Sequence, residues 1–270
     1  MRALKESLAA ARGANLMMNL RTRSALLRRA ASFDLEQLGM IANDALTDLY
    51  LTRLCRSDGG FLDVGAHIGS VLSRVHGTYP KARIFAIEAD ADKARNLERR
   101  YPWARIFNCA VGEEEGTATF WLDAEKPGYS SLIEAEGRTA QEVKIRPIDA
   151  LLPEADIDLV KIDIEGAELG ALRGARKLVE RARPTFIFES VRPERNALGY
   201  APGDIWDWCE SSGYALLTPD RLAHTAPEMT RETFVDCHYY PRRSHNYVAV
   251  ARTRRDEIRI RARTILGAHA

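Results

Sequence analysis

Short apolar runs alternate with stretches of helical period from Gly59-Gly60 to the HNYVAV segment that ends near residue 250. Phe61 to Val64, Arg83 to Ile87, Arg105 to Cys109, Leu159 to Ile162 and Thr185 to Phe188 are too short for helices and apolar at most positions, as strands covered on both faces are. Between them, His67 to Gly77, Asp92 to Tyr101 and Glu168 to Arg181 read as helices. This repetition predicts an α/β fold with a mostly parallel sheet and helices on both faces. Thr117 to Leu122 and Val143 to Arg146 add strands, with the loop Lys126 to Leu132 between them. Asp204 to Ser212 is expected to be helical, and Tyr214 to Leu217 and Tyr247 to Ala251 are the last strands, divided by an irregular stretch.

The flanks have a different character. Residues 1–57 read as an N-terminal helical extension, in which Ser32 or Asp34 can cap a helix near Leu35. Its first part is rich in arginine and poor in acid, which suits a docking helix or a homo-oligomer contact and is equally the composition of a transit peptide or a surface-bound helix. Residues 58–251 form the main domain, and 252–270 are a basic tail expected to be a solvated helix.

Composition narrows the classes. With 270 residues, 46% hydrophobic and 29% charged, the chain resembles an ordinary soluble globule with one principal domain. A net charge of +1 gives the surface as a whole no pull on a polyanion, so no nucleic-acid partner is expected. No stretch reaches the roughly 18 apolar residues of a membrane-spanning helix. Cys55, Cys109, Cys209 and Cys237 are scattered without a CxxC pair, which points to reduced thiols and a cytoplasmic location rather than a zinc site or disulfide framework.

The first strand ends in FLDVGAHIGS. Asp63 closes the strand, Gly65 permits a sharp turn and close approach of a ligand, and Ala66, His67 and Gly69 lead into a helix whose first N–H groups are unsatisfied. This geometry suits the amino-acid part of S-adenosylmethionine (SAM). Glu88, about 20 residues further on at the end of the next strand, is placed to accept both ribose hydroxyls. A nicotinamide dinucleotide shares these requirements but needs G-x-G-x-x-G, and Gly65-x-x-x-Gly69 lacks the middle glycine. Asn108, Cys109 and Ala110 end the third strand where an adenine edge is read, although Asn108 can equally cap a turn.

DLVKIDIEGAELGALRGA carries the most specific pattern, K-x-D-x-E-G-x-E, at Lys161, Asp163, Glu165, Gly166 and Glu168. Together with FLDVGAHIGS, NCAVG, the SSL at Ser130 to Leu132, PTFIFES and HNYVAV, it resembles the FkbM family of methyltransferases over roughly residues 58 to 251. The resemblance implies a class I, Rossmann-like, SAM-dependent methyltransferase fold with a seven-stranded sheet. It also implies methyl transfer, generally to oxygen, on sugars, glycans or natural products. His67 departs from the pattern, since family members often carry Asn there.

Such a transfer needs a positioned acceptor and a base. Asp163 ends a buried strand at the edge where open α/β sheets bind ligands, and is expected both to touch the cofactor and to serve as base. Glu189, at the end of the neighbouring strand, and His245, before the last one, are the other candidates. Glu165 and Glu168 can also stabilise the start of the following helix, and Lys161 reads as structural. Clustered acids could bind magnesium or calcium, but no metal is favoured. Ser130 and Ser131 sit on a loop expected to close over the site, Tyr129 could stack on a sugar ring, and Trp206 and Trp208 read as packing residues. The segment from Val191 to Pro241 is expected to shape the pocket for a small-molecule or glycan acceptor. The rivals are a non-catalytic SAM-binding scaffold and an NAD-dependent oxidoreductase. Base methylation of nucleic acid is disfavoured because Asp163-Ile164-Glu165-Gly166 stands where an Asn/Asp-Pro-Pro-aromatic turn would be.

Overall fold

Strands that are apolar on both sides need a layer on each side, and the chain order supplies both. The computed structural model describes residues 35–123, 130–132, 134, 137–190, 198–201, 203–242 and 244–268, with positions 24, 27, 28 and 31. The arginine-rich start, Tyr129 and residues 191–197 lie outside the described residues. A helix α1 (Leu35–Arg53) leads into β1 (Gly60–Val64), α2 (Ser70–Thr78), β2 (Arg83–Glu88), α3 (Ala91–Arg100) and β3 (Ala104–Asn108). A small sheet follows, made of β4 (Ala110–Val111), β5 (Gly116–Leu122) and β6 (Thr139–Arg146). A short α4 (Ile148–Leu151) returns the chain to β7 (Leu159–Ile162), then α5 (Glu168–Arg173), α6 (Arg176–Ala182) and β8 (Thr185–Glu189). Finally come α7 (Asp204–Ser211), β9 (Tyr214–Leu217), α8 (Arg231–Asp236), β10 (Asn246–Ala251) and α9 (Arg255–Ile265).

The main sheet has seven strands in the order β3-β2-β1-β7-β8-β10-β9. Its pairings are parallel except for β10, which runs against both neighbours. The expected Rossmann-like sheet is therefore present. From β1 the chain builds outward through β2 to β3, then crosses to β7 and builds the other way, so the order reverses between β1 and β7. Ligands of open α/β sheets bind at such a switch point, outside the carboxyl ends of the strands. One face packs Leu62, Val160 and Phe186 against Leu172, Leu178 and Ile205; the other packs Phe61, Leu159 and Ile187 against Tyr50, Leu72 and Ile258. The period of two along each strand divides them this way.

Several local expectations shift. The helix expected over Glu168 to Arg181 is two helices, because Gly174 sits against the turn at Gly112, where an added Cβ would meet the Gly112 carbonyl oxygen at 2.2 Å. Asp149 then caps the second helix, accepting from Lys177 N–H at 2.8 Å and Leu178 N–H at 2.9 Å. The helix expected from His67 starts only at Ser70, because His67 and Gly69 hold φ values of 51° and 75°. The stretch before the last strand contains α8. The basic tail forms α9, which is not fully solvated: Ile258 and Ala262 are buried in the core. No described helix is long and apolar enough to cross a membrane.

Asp158, just before β7 and only 3% exposed, ties this last helix to the sheet. It accepts from Arg254 at 2.9 Å, Arg261 at 3.0 Å and the Arg56 backbone N–H at 2.8 Å. Removing one partner of a buried charge network leaves the others unsatisfied, so Asp158→Ala is expected to lower stability by about 2–3 kcal/mol in urea unfolding. Arg83→Ala, which loses an exposed pair with Asp156, should cost much less. Equal losses in the two variants would show that Asp158 is no anchor.

Candidate active site

The chain leaves β1 through a turn that only glycine can make. Gly65 has φ 83°, and a Cβ there would lie 2.0 Å from the carbonyl oxygen of Asp163 on the adjacent strand. Gly69 has φ 75°, and its missing Cβ leaves room for the ring of Tyr101, which would otherwise be 2.2 Å away. The turn is pinned to β2 by Gly65 N–H and Ala66 N–H donating to the Ile87 carbonyl at 3.0 and 3.2 Å. His67, at φ 51°, donates its N–H to Glu88 Oε2 at 2.7 Å, and Asp90 N–H donates to Oε1 at 2.9 Å. Glu88 is 6% exposed. Burial pushes its carboxyl up, while nearby Lys93 and the two N–H donors pull it back.

A cavity of about 280 Å³ opens over the carboxyl ends of β1, β2, β7 and β8. One part of its lining is apolar, with Ile87, Ala89, Cys109, Val111 and Phe120. The other is polar, with Gly65, His67, Glu88, Lys93, Ser130, Asp163, Glu165 and Glu189. Phe120 reaches it from the small sheet, where it packs with Ala110 and Val143. Asp123 N–H donates to Ser130 Oγ at 3.0 Å, and the Trp121–Ser131 backbone bridge holds the loop's return beside β5.

Of the residues singled out in the sequence, Gly65, His67, Glu88, Asp163 and Glu189 line this cavity. Asp63 lies beneath it, 1% exposed. Ala66 and Gly69 shape the turn. The Asn108 side chain is turned to the backbone, donating to the Glu88 and Ala89 carbonyls at 2.9 and 3.2 Å, which is the turn-capping role. Ala110 packs under Phe120 rather than lining the cavity. His245 is also not among the lining residues: its carbonyl accepts from Ser190 N–H at 3.0 Å, and its charge acts on Asp44 of α1, whose carboxyl burial pushes up and Asn246 and His245 pull down. Trp206 packs against the core and donates to the Met229 carbonyl at 2.8 Å, while Trp208 stands edge-on to Phe186. Phe120, Val111 and Lys93 were not picked out from the sequence. The one signal for Phe120 was its place as the apolar residue after Thr117-Ala118-Thr119, and it is the one buried residue of its strand.

The acids converge. Asp163, Glu165 and Glu189 each bring a carboxylate oxygen within 4.8 Å of the others. These hard oxygens are of the type magnesium or calcium accepts. Burial drives Glu189 well above the ordinary carboxyl range, with Asp163 and Glu165 adding to the effect. Glu189 and Asp163 thus form an interacting acid pair in which burial and mutual repulsion favour the protonated form of Glu189. Glu165 takes a left-handed backbone at φ 55°, and Glu168 stitches that loop closed, accepting from Ile164 N–H at 3.2 Å and Gly166 N–H at 3.0 Å. Glu168 is 2% exposed and burial pushes it up to about 7. The Lys161 ammonium reaches Asp63 Oδ1 at 3.0 Å, the Gly65 carbonyl at 3.1 Å and Asp163 Oδ2 at 3.4 Å.

The chain is similar to several known methyltransferases. The curated Methyltransferase 1 of Beauveria bassiana (strain ARSEF 2860) is 27% identical over 146 residues, 43% of this chain and 58% of that protein. The crystal structure of methyltransferase FkbM from Methylobacillus flagellatus KT is similar at 20% identity, covering 88% of this chain and 60% of that one, with a TM-score of 0.47. A TehB-like SAM-dependent methyltransferase from Corynebacterium glutamicum ATCC 13032 Kitasato is similar at 13% identity over 76% of this chain and 85% of that one, with a TM-score of 0.37. The chain thus spans about 60% of the length of the first two relatives. The methyltransferase FkbM domain matches residues 63–216, more than half of the sequence and the whole of the switch-point cavity, and the chain belongs to the FkbM methyltransferase family.

Proposed function

We propose that this chain transfers a methyl group from SAM to a hydroxyl oxygen of a sugar, glycan or hydroxylated natural product. The observation that carries the reading is one cavity with a buried carboxylate, Glu88, at the end of β2 and an acid pair, Asp163 and Glu189, across the switch point. The residues present fit SAM. Ile87, Val111 and Phe120 offer an apolar slot for adenine, Glu88 has lone pairs left to accept a ribose diol, and the Gly65 turn admits a chain at close range. Four acids facing the cavity against one lysine suit a ligand carrying a sulfonium and an ammonium.

SAM supplies an electrophilic methyl on sulfur, so the sulfur–carbon bond breaks as an oxygen–carbon bond forms. The protein's part is to hold the acceptor hydroxyl in line and take its proton. Asp163 accepts that proton, and Glu189 beside it, whose carboxyl burial raises, donates a hydrogen bond to Asp163 when protonated. The reduced state of all four cysteines fits a cytoplasmic protein.

Calorimetric titration with SAM, S-adenosylhomocysteine and NAD tests the cofactor: both adenosyl ligands are expected to bind and NAD is not. Glu88→Ala should weaken SAM by about 10–100-fold, the worth of hydrogen bonds to a charged group; unchanged affinity would remove Glu88 from the site. A screen of monosaccharides, oligosaccharides and hydroxylated natural products for S-adenosylhomocysteine release tests the reaction, and silence with every acceptor would favour the non-catalytic scaffold. With an active acceptor, Asp163→Asn should lower kcat by about 10²–10⁴ while SAM affinity is kept, and dialysis against EDTA should leave the rate unchanged. The alkaline side of the pH–rate profile should fall as Glu189 loses its raised proton. Glu189→Gln, which keeps a donor at every pH, should remove that fall.

A further inference from the structure

Lys161 lies on β7 between the turns that leave β1 and β7, outside the residues that line the cavity, and it is not where an apolar strand would put a cation by chance. In the sheet register it stands directly opposite Asp63 on the adjacent central strand, with Phe61 and Leu159 before them on the same face. Its side chain is 12% exposed. An ammonium has three N–H bonds, and three oxygens lie within reach: Asp63 Oδ1, the Gly65 carbonyl and Asp163 Oδ2. One belongs to β1 itself, one to the turn that leaves it and one to the turn that leaves β7. Burial alone would favour the neutral amine, but Asp63 and Asp163 more than offset it and raise the lysine above its ordinary value, so it stays charged. Arg74 of α2 also acts on Asp63, but its own guanidinium is paired with Asp48.

Resting on the reading above, we propose that Lys161 is a positioning residue for methyl transfer, tying the Gly65 carbonyl on the cofactor side and the Asp163 carboxylate on the acceptor side to a single ammonium. Asp63 then acts through Lys161: its Oδ1 anchors the ammonium from below, and its own atoms lie outside the cavity wall. The simpler alternative is that Lys161 only neutralises the buried Asp63. The two differ in what happens when both charges are removed together. Replacing a whole buried pair by uncharged groups is often near neutral for stability, so the Asp63→Asn/Lys161→Met double variant separates folding from positioning.

The test measures melting temperature, SAM affinity by calorimetry, kcat and KM for the acceptor found in the screen, and backbone amide exchange of residues 64–67 and 163–166 without ligand. The double variant is expected to melt close to wild type and bind SAM within a few fold, to exchange faster in both segments, and to lose about 10–100-fold in kcat with little change in KM, the scale that small misplacements of reacting groups produce. Lys161→Arg, which keeps the charge, should recover part of that loss. Wild-type kcat in a double variant that melts normally would overturn the proposal in favour of simple neutralisation. Faster exchange confined to residues 64–67, with kcat preserved at saturating SAM, would confine Lys161 to the cofactor side and overturn it as well. A double variant that unfolds would show that the pair is needed for folding, and Lys161→Arg then decides: wild-type exchange in both segments with full kcat supports the tie, whereas wild-type exchange with kcat as low as in Asp163→Asn overturns it. Failure of the methyl-transfer reading is a separate result, an inactive wild-type protein, and the exchange measurement remains informative in that case.

Discussion

Burying two opposite charges on neighbouring central strands costs several kcal/mol per ion before anything is gained, and the gain is recovered only when the geometry fills the remaining hydrogen-bonding sites. In the pair Asp63 and Lys161 the lysine meets that condition, while Asp63 Oδ2 stays buried without a hydrogen bond, and the way the lysine is satisfied organises its surroundings. Because the lysine needs more acceptors than Asp63 provides, the Gly65 carbonyl and the Asp163 carboxylate are drawn to it. Because the turn at residue 65 must then pass within contact of the Asp163 carbonyl, no residue with a Cβ fits there. The glycine turn, the strand-end acid and the lysine are one construction rather than three motifs.

The same logic runs outward along the carboxyl edge. Four of the acids are separately managed: Glu88 by two backbone N–H groups, Glu168 by the N–H groups of its own loop, Asp163 by Lys161, and Glu189 by burial that raises its carboxyl. An edge with this many carboxyl groups in one cavity would repel itself if all were exposed and ionised, and each device removes one source of repulsion or turns it to structural use. What remains facing the open space is a field suited to a cationic ligand beside a hydroxyl, with an apolar recess at the far end.

Much of the fold was legible because the central strands are apolar on both faces, so the runs from Leu159 and Tyr214 coincide with β7 and β9 and the others shift by a residue or two. The order in which β9 and β10 add to the edge was not, since pairing between Val248 and Leu217 is a long-range fact that no local pattern carries. The break at Gly174 was hidden for the same reason: it depends on Gly112 and Asp149, remote in sequence. In the site, Glu88 and Asp163 could be placed because they end strands on the ligand-binding edge. Asn108 ends one too, yet its amide reaches back to the carbonyls of the β2 turn. His245 precedes the last strand but is not among the residues that line the cavity. Lys161 looked structural because its partner Asp63 lies 98 positions away.

β7 carries an acid beyond each end, and the cations chosen for them differ. Asp158, at the amino end, is gripped by Arg254 and Arg261, whose planar forks bind carboxylate oxygens and reach other acceptors at once, as Arg254 does with Glu257 and the Arg183 carbonyl. That edge joins a whole helix to the sheet, and a rigid, always-charged fork suits a permanent joint. Asp163, at the carboxyl end, faces a compact ammonium that can distribute three bonds over two turns without extending into the cavity. The division of labour along one short strand, stability at one end and positioning at the other, follows from the shape of the two cations as much as from their charge.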